Sequence, residues 1–268
     1  MERGKKIETA SNSASPYTGG ITIKSPQELE AMERAGAIVG AVLTLLKRSV
    51  EPGMTTRDLD QIAYKEITRL GGRPTFKGYR GFPASICASL NEEIVHGIPG
   101  KRVLKEGDII KIDVGATIDG FIGDAAVSLP VGAVTQEALD LMEATRQSLE
   151  EGINAAQPGN RLGDVGAAVQ AYAEARGYGV VREYVGHGVG RFLHEDPQVP
   201  NYGEPGKGQL LRPGMCIAIE PMLNLGDWHT RVLDDHWTVV TADGSLSAHF
   251  EHTIAITENG PKVLTVHS

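Results

Sequence analysis

Cysteine is nearly absent. Cys87 and Cys216 are the only two in 268 residues, which excludes a disulfide framework or a CxxC zinc site and suits a reducing, cytoplasmic setting. Positive charge is also in deficit: Lys and Arg number 26 against 34 Asp and Glu, a net charge of −8. A surface short of cations cannot release the counterions on which nucleic-acid affinity depends, so no nucleic-acid partner is expected. Acidic clusters suit cations instead. No apolar run is long enough to span a bilayer, and no membrane partner is expected. The longest run, Ala35 to Leu46, is flanked by Arg34 and Lys47 and reads as the buried face of a helix. Residues 1–20 lack the apolar core of a signal peptide. Rich in Ser, Thr, Asn and Gly, they read as a flexible extension before a fold that starts near Ile21. Familiar motifs are missing too: His194-Glu195 does not continue as HExxH, Gly186, Gly188 and Gly190 miss the GxGxxG spacing, and GxSxG, P-loop and EF-hand patterns do not occur. With 41% hydrophobic and 22% charged residues, the chain can bury a sizeable core in one or two domains.

Against these absences stands the stretch from Gly107 to Val127, GDIIKIDVGATIDGFIGDAAV. Ile109, Ile110, Ile112 and Val114, then Phe121, Ile122 and Val127, are strand formers, and Asp119-Gly120 is the dipeptide of a two-residue type I′ turn. Folding back there pairs Ile118 with Phe121 and Asp113 with Ala126, making Asp124 a same-face diagonal neighbour of Asp113. Diagonal neighbours stand roughly 7–8 Å apart at the backbone, within reach of one shared cation. Two carboxylates inside apolar strands cannot both ionise unless positive charge lies between them. A turn acid plus a surface acid is the plainer reading, and the hairpin alone does not choose between the two.

Ser25-Pro26-Gln27-Glu28 is a capping box with proline at the first helical position, opening a helix that ends before Pro52-Gly53. A second helix is expected from about Thr56 to Gly71-Gly72. After the hairpin come helices from about Thr135 to Ala155 and from about Asp164 to Arg176, the last ended by Gly177. The order repeats. Pro52-Gly53 matches Pro158-Gly159, Asp58-Leu59 matches Asp164-Val165 and Gly71 matches Gly177, each 106 residues on. LKEGDIIKID matches LRPGMCIAIE at 107, which sets Glu220 against Asp113. An internal duplication follows, packed about an approximate two-fold axis close to these acids. The long gap from Glu220 to Glu251 is then an insertion in the second half.

From Thr75 to Pro99, aromatics and glycines suit a loop and short strand lining a pocket, with His96 its one group titrating near neutrality. A lone histidine is more often structural. In residues 184–202, His187 and His194 lie among glycines that let backbone approach a substrate or metal. Glu251 heads an alternating strand, where an exposed acid is the plainer reading. His229, His236, His249, His252 and His267 fall in no pattern, and Cys216 in CIAIEPM reads as a small buried hydrophobe.

The motifs NEEIVHGIP, KIDVGATIDGFIGDAA, GHGVGRFLHEDPQVPNY, IAIEPM and FEHTIAIT together closely resemble type I methionine aminopeptidases of the bacterial kind, from about Ile21 to Val266. The resemblance implies an α+β pita-bread fold over 21–268 as a single catalytic domain, two αβ halves about a pseudo-two-fold axis and a central antiparallel sheet. It implies removal of N-terminal methionine from nascent polypeptides, with the ribosome as a candidate partner and a cytoplasmic monomer as the working form. Metal ligands fall on Asp113, Asp124, His187, Glu220 and Glu251, with Asp124 and Glu251 bridging two ions. Such a hard, oxygen-rich set suits manganese, iron or cobalt over thiolate-bound zinc. Glu220 is the implied proton carrier, and His96 and His194 the donors to the scissile amide and its oxyanion.

The implied methionine pocket is Phe76, Tyr79, Phe82, Cys87 and Trp237, where thioether sulfur meets aromatic edges. Phe76 stands where relatives often carry cysteine, and Leu193 where an aromatic is frequent. A monovalent cation is implied near Asn91, Glu93 and Ser247. Two rival readings share the fold. One is an Xaa-Pro aminopeptidase or dipeptidase, which normally carries a large extra N-terminal domain. The other is a non-enzymatic binding homologue, which lacks ligands that this sequence keeps.

Overall fold

The computed structural model describes residues 19–267; of the extension expected over 1–20, residues 1–18 lie outside the described residues. Ser25 opens α1 (Pro26–Ser49) with a reciprocal cap: its hydroxyl accepts from Glu28 N at 3.3 Å, and the Glu28 carboxylate accepts from Ser25 N at 3.0 Å. Thr55 and Asp58 cap α2 (Thr56–Arg69) in the same way. Short strands β1 (Arg73–Pro74), β2 (Ile86–Leu90) and β3 (Glu93–Val95) precede the long hairpin of β4 (Ile109–Ile118) and β5 (Phe121–Pro130). Its turn residues Asp119 and Gly120 have φ of 51° and 76°, both positive as a type I′ turn requires. The register is the expected one, with Ile118 on Phe121, Asp113 on Ala126 and Gly115 on Asp124.

The second half runs through α3 (Gln136–Ala155), capped by Thr135, and α4 (Leu162–Glu174), which starts and ends two residues earlier than the sequence suggests. Then come β6 (Gly179–Val180), β7 (Gly186–Gly188), β8 (Glu195–Val199) and β9 (Cys216–Ile219). An excursion through β10 (Met222–Asn224), β11 (Thr230–Val232), β12 (Val239–Thr241) and β13 (Ser247–His249) returns to β14 (Glu251–Thr257) and β15 (Gly260–Val263). The excursion is the insertion expected between Glu220 and Glu251.

Nine strands from both halves form one antiparallel sheet, ordered β1-β4-β5-β14-β9-β7-β8, with β2 on β4 and β15 on β14. Period-two alternation divides its faces. Ile110, Ile112, Val114, Ala125 and Val127 pack under Val39, Leu43 and Leu46 of α1 and Leu59 and Ile67 of α2. Ile217, Ile219, Ile254 and Ile256 pack against Leu149 of α3 and Leu162 and Val165 of α4. Each such fully buried aliphatic contributes roughly 1.5–3 kcal/mol, so the helices fix one face, and the alternate residues Asp113, Asp124 and Glu251 are delivered to the other.

The duplication is visible bond by bond. Gly53 N donates to Leu104 O, and Gly159 N to Leu211 O; Thr56 N donates to Arg102 O, and Leu162 N to Gln209 O. Gly107 N donates to Val131 O while Gly214 N donates to Ile256 O. Asp113 and Glu220 thus occupy matching places on matching strands.

Candidate metal centre and its cavity

Asp113 comes from β4, Asp124 from β5, His187 from β7, Glu220 from the position just after β9 and Glu251 from the start of β14, and the five side chains converge on one spot. His187 Nε2 lies 3.9 Å from Asp124 Oδ2 and 3.5 Å from Glu220 Oε1. Ligand atoms of Asp124, His187 and Glu251 all fall within 4.8 Å of one another. His187 Nδ1 donates to Gly188 O at 2.9 Å, which fixes the tautomer and leaves the Nε2 lone pair facing the carboxylates. Supports lie behind the ligands: Thr253 Oγ1 donates to Asp124 O at 2.8 Å, and Asn201 Nδ2 donates to Glu220 O at 3.0 Å.

This cluster is costly by itself. Asp113 Oδ1, Asp124 Oδ1 and Glu251 Oε1 are buried without a hydrogen-bond partner. Burial raises the Asp113 carboxyl to about 7 and pushes Asp124, Glu220 and Glu251 well above the carboxylate range, with repulsion among the acids adding to it. Cations seated between the acids answer both costs, since they satisfy the orphaned oxygens and restore ionisation. The donor set therefore fits divalent ions.

Beside the cluster opens a cavity of about 180 Å³, small against the ~300–1,000 Å³ typical of drug-sized ligands. Phe76, Tyr79, Phe82, Cys87, Leu193 and Trp237 form its apolar wall, with Phe82 edge-on to Trp237 at 5.0 Å. Phe76 lies over Gly115, whose missing side chain makes room for it. Cys87 sits opposite Asp113 in the sheet. Burial, then the nearby acids, holds its thiol well above its usual range, so it is wall and not ligand.

His96 and His194 border both parts of the cavity. His96 has φ of 62°, a strained conformation for a side chain of its size, and stands edge-on to Tyr184 at 5.8 Å. Burial lowers its pKa to about 4. His194 is brought to about 2, by burial and then by His187 and Arg80. Both rings are neutral near pH 7, so each keeps one N–H to donate. His194 Nδ1 meets Tyr79 Oη at 2.8 Å.

Every residue named from sequence for the metal site, the proton transfers and the pocket lines this one cavity. Arg80, at φ 49°, lines it too and carried no motif. His249 was also missed: fully buried, its Nε2 lies 4.0 Å from Glu220 Oε2. Its signal was its place two residues before Glu251, on the same side of an alternating run. The glycines around His187 need a correction. A Cβ at Gly186 would stand 2.2 Å from Ala218 O, and one at Gly188 2.2 Å from Asp196 O. They let neighbouring strands close up, and do not serve to bring backbone to a substrate. Asn91, Glu93 and Ser247 do come together, with Ser247 N donating to Asn91 O at 3.1 Å.

Residues 30–258 match the profile of metallopeptidase family M24. Methionine aminopeptidase 1 of Bacillus subtilis is 54% identical over 91% of this chain and 99% of its own. Methionine aminopeptidase of Clostridium acetobutylicum is 52% identical over 92% and 99%. The crystal structure of methionine aminopeptidase from Thermotoga maritima superposes with a TM-score of 0.91 at 50% identity, covering 92% of this chain and all of the other. Prolidase from Pyrococcus furiosus, at 23% identity and a TM-score of 0.74, shares the pita-bread fold alone, and this chain spans 66% of its length. With four clustered carboxylates and a histidine on the shared sheet of two matched halves, the chain belongs to metallopeptidase family M24.

Proposed function

We propose that this metallopeptidase is a methionyl aminopeptidase, removing N-terminal methionine from nascent proteins and peptides with a preference for small second residues. What carries the reading is an apolar cavity with room for a single side chain that ends on a cluster of four acids and a neutral histidine. Asp113, Asp124, His187, Glu220 and Glu251 would hold two divalent ions, with manganese, iron and cobalt favoured by the oxygen-rich set. When bound, such a pair supplies Lewis acidity toward the scissile carbonyl and brings the pKa of water near neutrality.

The chain's own groups do the rest. Glu220 has a carboxyl that burial makes ready to hold a proton; it takes one from the attacking water and returns it to the leaving amine. His96 and His194 donate their N–H groups to the scissile amide and to the oxygen on which charge develops. Tyr79 Oη, 2.8 Å from His194 Nδ1, orients the ring; with the hydroxyl as donor, Nε2 keeps the proton that His194 gives. Phe76, Phe82, Cys87 and Trp237 enclose the methionine side chain, and crowding at His96 and His194 selects small second residues. The enzyme works as a cytoplasmic monomer on chains emerging from the ribosome.

Purified protein incubated with Met-Ala-Ser and with Ala-Pro peptides, with and without Mn²⁺ or Co²⁺, tests this. Methionine release from the first, dependent on metal, is expected. Release from Met-Arg as fast as from Met-Ala would contradict the small-residue preference, and cleavage of Ala-Pro alone would turn the reading toward an Xaa-Pro peptidase.

A further inference from the structure

Lys111 is a lysine enclosed in the middle of β4, 1% exposed, two residues before Asp113 and on the same face of the sheet. Its Nζ donates to Asn91 O at 2.7 Å. The same oxygen accepts from Ser247 N at 3.1 Å, and a carbonyl has two lone pairs. Asn91 is held in this attitude, at φ 52°, by its own side chain: Oδ1 accepts from Ile109 N at 3.0 Å, and Nδ2 donates to Asp108 Oδ1 at 2.9 Å. Glu93 is committed as well, its carboxylate accepting from Leu90 N at 2.7 Å and from Arg102 at 2.5 Å. A monovalent cation expected at Asn91, Glu93 and Ser247 therefore finds its first carbonyl already filled.

We propose that the Lys111 ammonium stands in place of that cation, a counter-charge tethered to β4 that holds the loop before β3 at the same Asn91 oxygen to which Ser247 of β13 donates. An ammonium is close to potassium in size and brings the same single charge with three N–H donors. Because it is covalently attached, its occupancy costs no translational freedom and does not vary with salt. Glu93 and Asp108, bonded to Leu90 N and to Asn91 Nδ2 on either side of the Asn91 carbonyl, supply the acidic surroundings of the charge. The three segments that meet at this oxygen lead directly to site residues: β3 to His96, β4 to Asp113 and β13 to Glu251. Lys111 is thus a positioning residue for the peptidase site, and this part of the inference rests on the proposed activity.

The test exchanges tetramethylammonium chloride for KCl or NaCl at constant ionic strength. It reads both Met-Ala-Ser turnover and thermal midpoint of the metal-loaded full chain; the thermal reading is independent of the peptidase assignment. The wild type is expected to be indifferent to the exchange in both. Lys111→Ser should lose about tenfold in turnover in tetramethylammonium and recover it, with a raised midpoint, in KCl or NaCl. A wild type whose midpoint rises with sodium or potassium overturns the proposal. So does a Lys111→Ser protein as active and stable in tetramethylammonium as the wild type. If Lys111→Ser does not fold, the wild-type exchange decides alone, its indifference supporting the tethered charge and its response refuting it.

Discussion

Ala126 and Glu251 face each other across the seam where β5 meets β14, and they are each other's counterparts in the two halves. Val131 and Ile256 accept from the matched glycines Gly107 and Gly214; counting back five residues from each arrives at this pair. The duplication axis therefore passes through it, beside the acid cluster. One half places an acid at the seam, while the other places alanine there and moves its acid two residues along to Asp124. The ligand set is for this reason only approximately symmetric, with Asp113 and Glu220 matched and Asp124 and Glu251 offset.

Asp113→Ala or Glu251→Ala should each abolish turnover on Met-Ala-Ser, by at least about 100-fold, and lower the bound metal measured by elemental analysis. Wild-type rates with two ions retained in either variant would defeat the ligand assignment.

The raised carboxyls make a prediction about pH. With its folded-state pKa near 7 against an ordinary 3.8, Asp113 holds a proton in the native state that the unfolded chain releases. Its contribution to metal-free stability is present below the unfolded value and is lost as pH rises through about 7. Metal-free Asp113→Asn should accordingly melt above the metal-free wild type at pH 8, with the gap shrinking at pH 5. A gap that is independent of pH would show that Asp113 does not titrate in this way.

Much of this was legible in the sequence because it depends on local chemistry. The type I′ dipeptide Asp119-Gly120 sets the register that joins Asp113 to Asp124, the capping box at Ser25 places the first helix, and the repeat brings in Glu220. Other features depend on distant contacts. Gly186 and Gly188 look the same in sequence whether they admit a ligand or a neighbouring strand, and only the approach of Ala218 O and Asp196 O decides. His249 carries no motif, and Lys111, though it opens the run KIDVG, gives no sign there of its role; their importance comes from burial beside Glu220 and Asn91 across strands far apart in the chain.

Tyr79→Phe removes the hydroxyl that orients His194. It should lower kcat/KM by about 1 kcal/mol, roughly fivefold, while metal content stays at the wild-type level. Unchanged kinetics would assign Tyr79 to the apolar wall alone.

Lys24 and Glu195 form a buried ion pair at 3.0 Å, with side chains 5% and 2% exposed. Glu195 Oε1 also accepts from Arg191 N and Phe192 N, bracing the loop that carries His194. Lys24→Met leaves this carboxylate without its cation and should cost about 3–5 kcal/mol in chemical denaturation. A loss within experimental error would mean that the Thr22 hydroxyl, which donates to Glu195 Oε2 at 2.6 Å, and the loop amides suffice to hold the charge.

The most direct test of the metal centre is anomalous diffraction at the manganese edge from crystals soaked in Mn²⁺. Two peaks about 3.5–4 Å apart, lying among Asp113, Asp124, His187, Glu220 and Glu251, are expected. Peaks elsewhere, or none between Asp124 and Glu251, would contradict it.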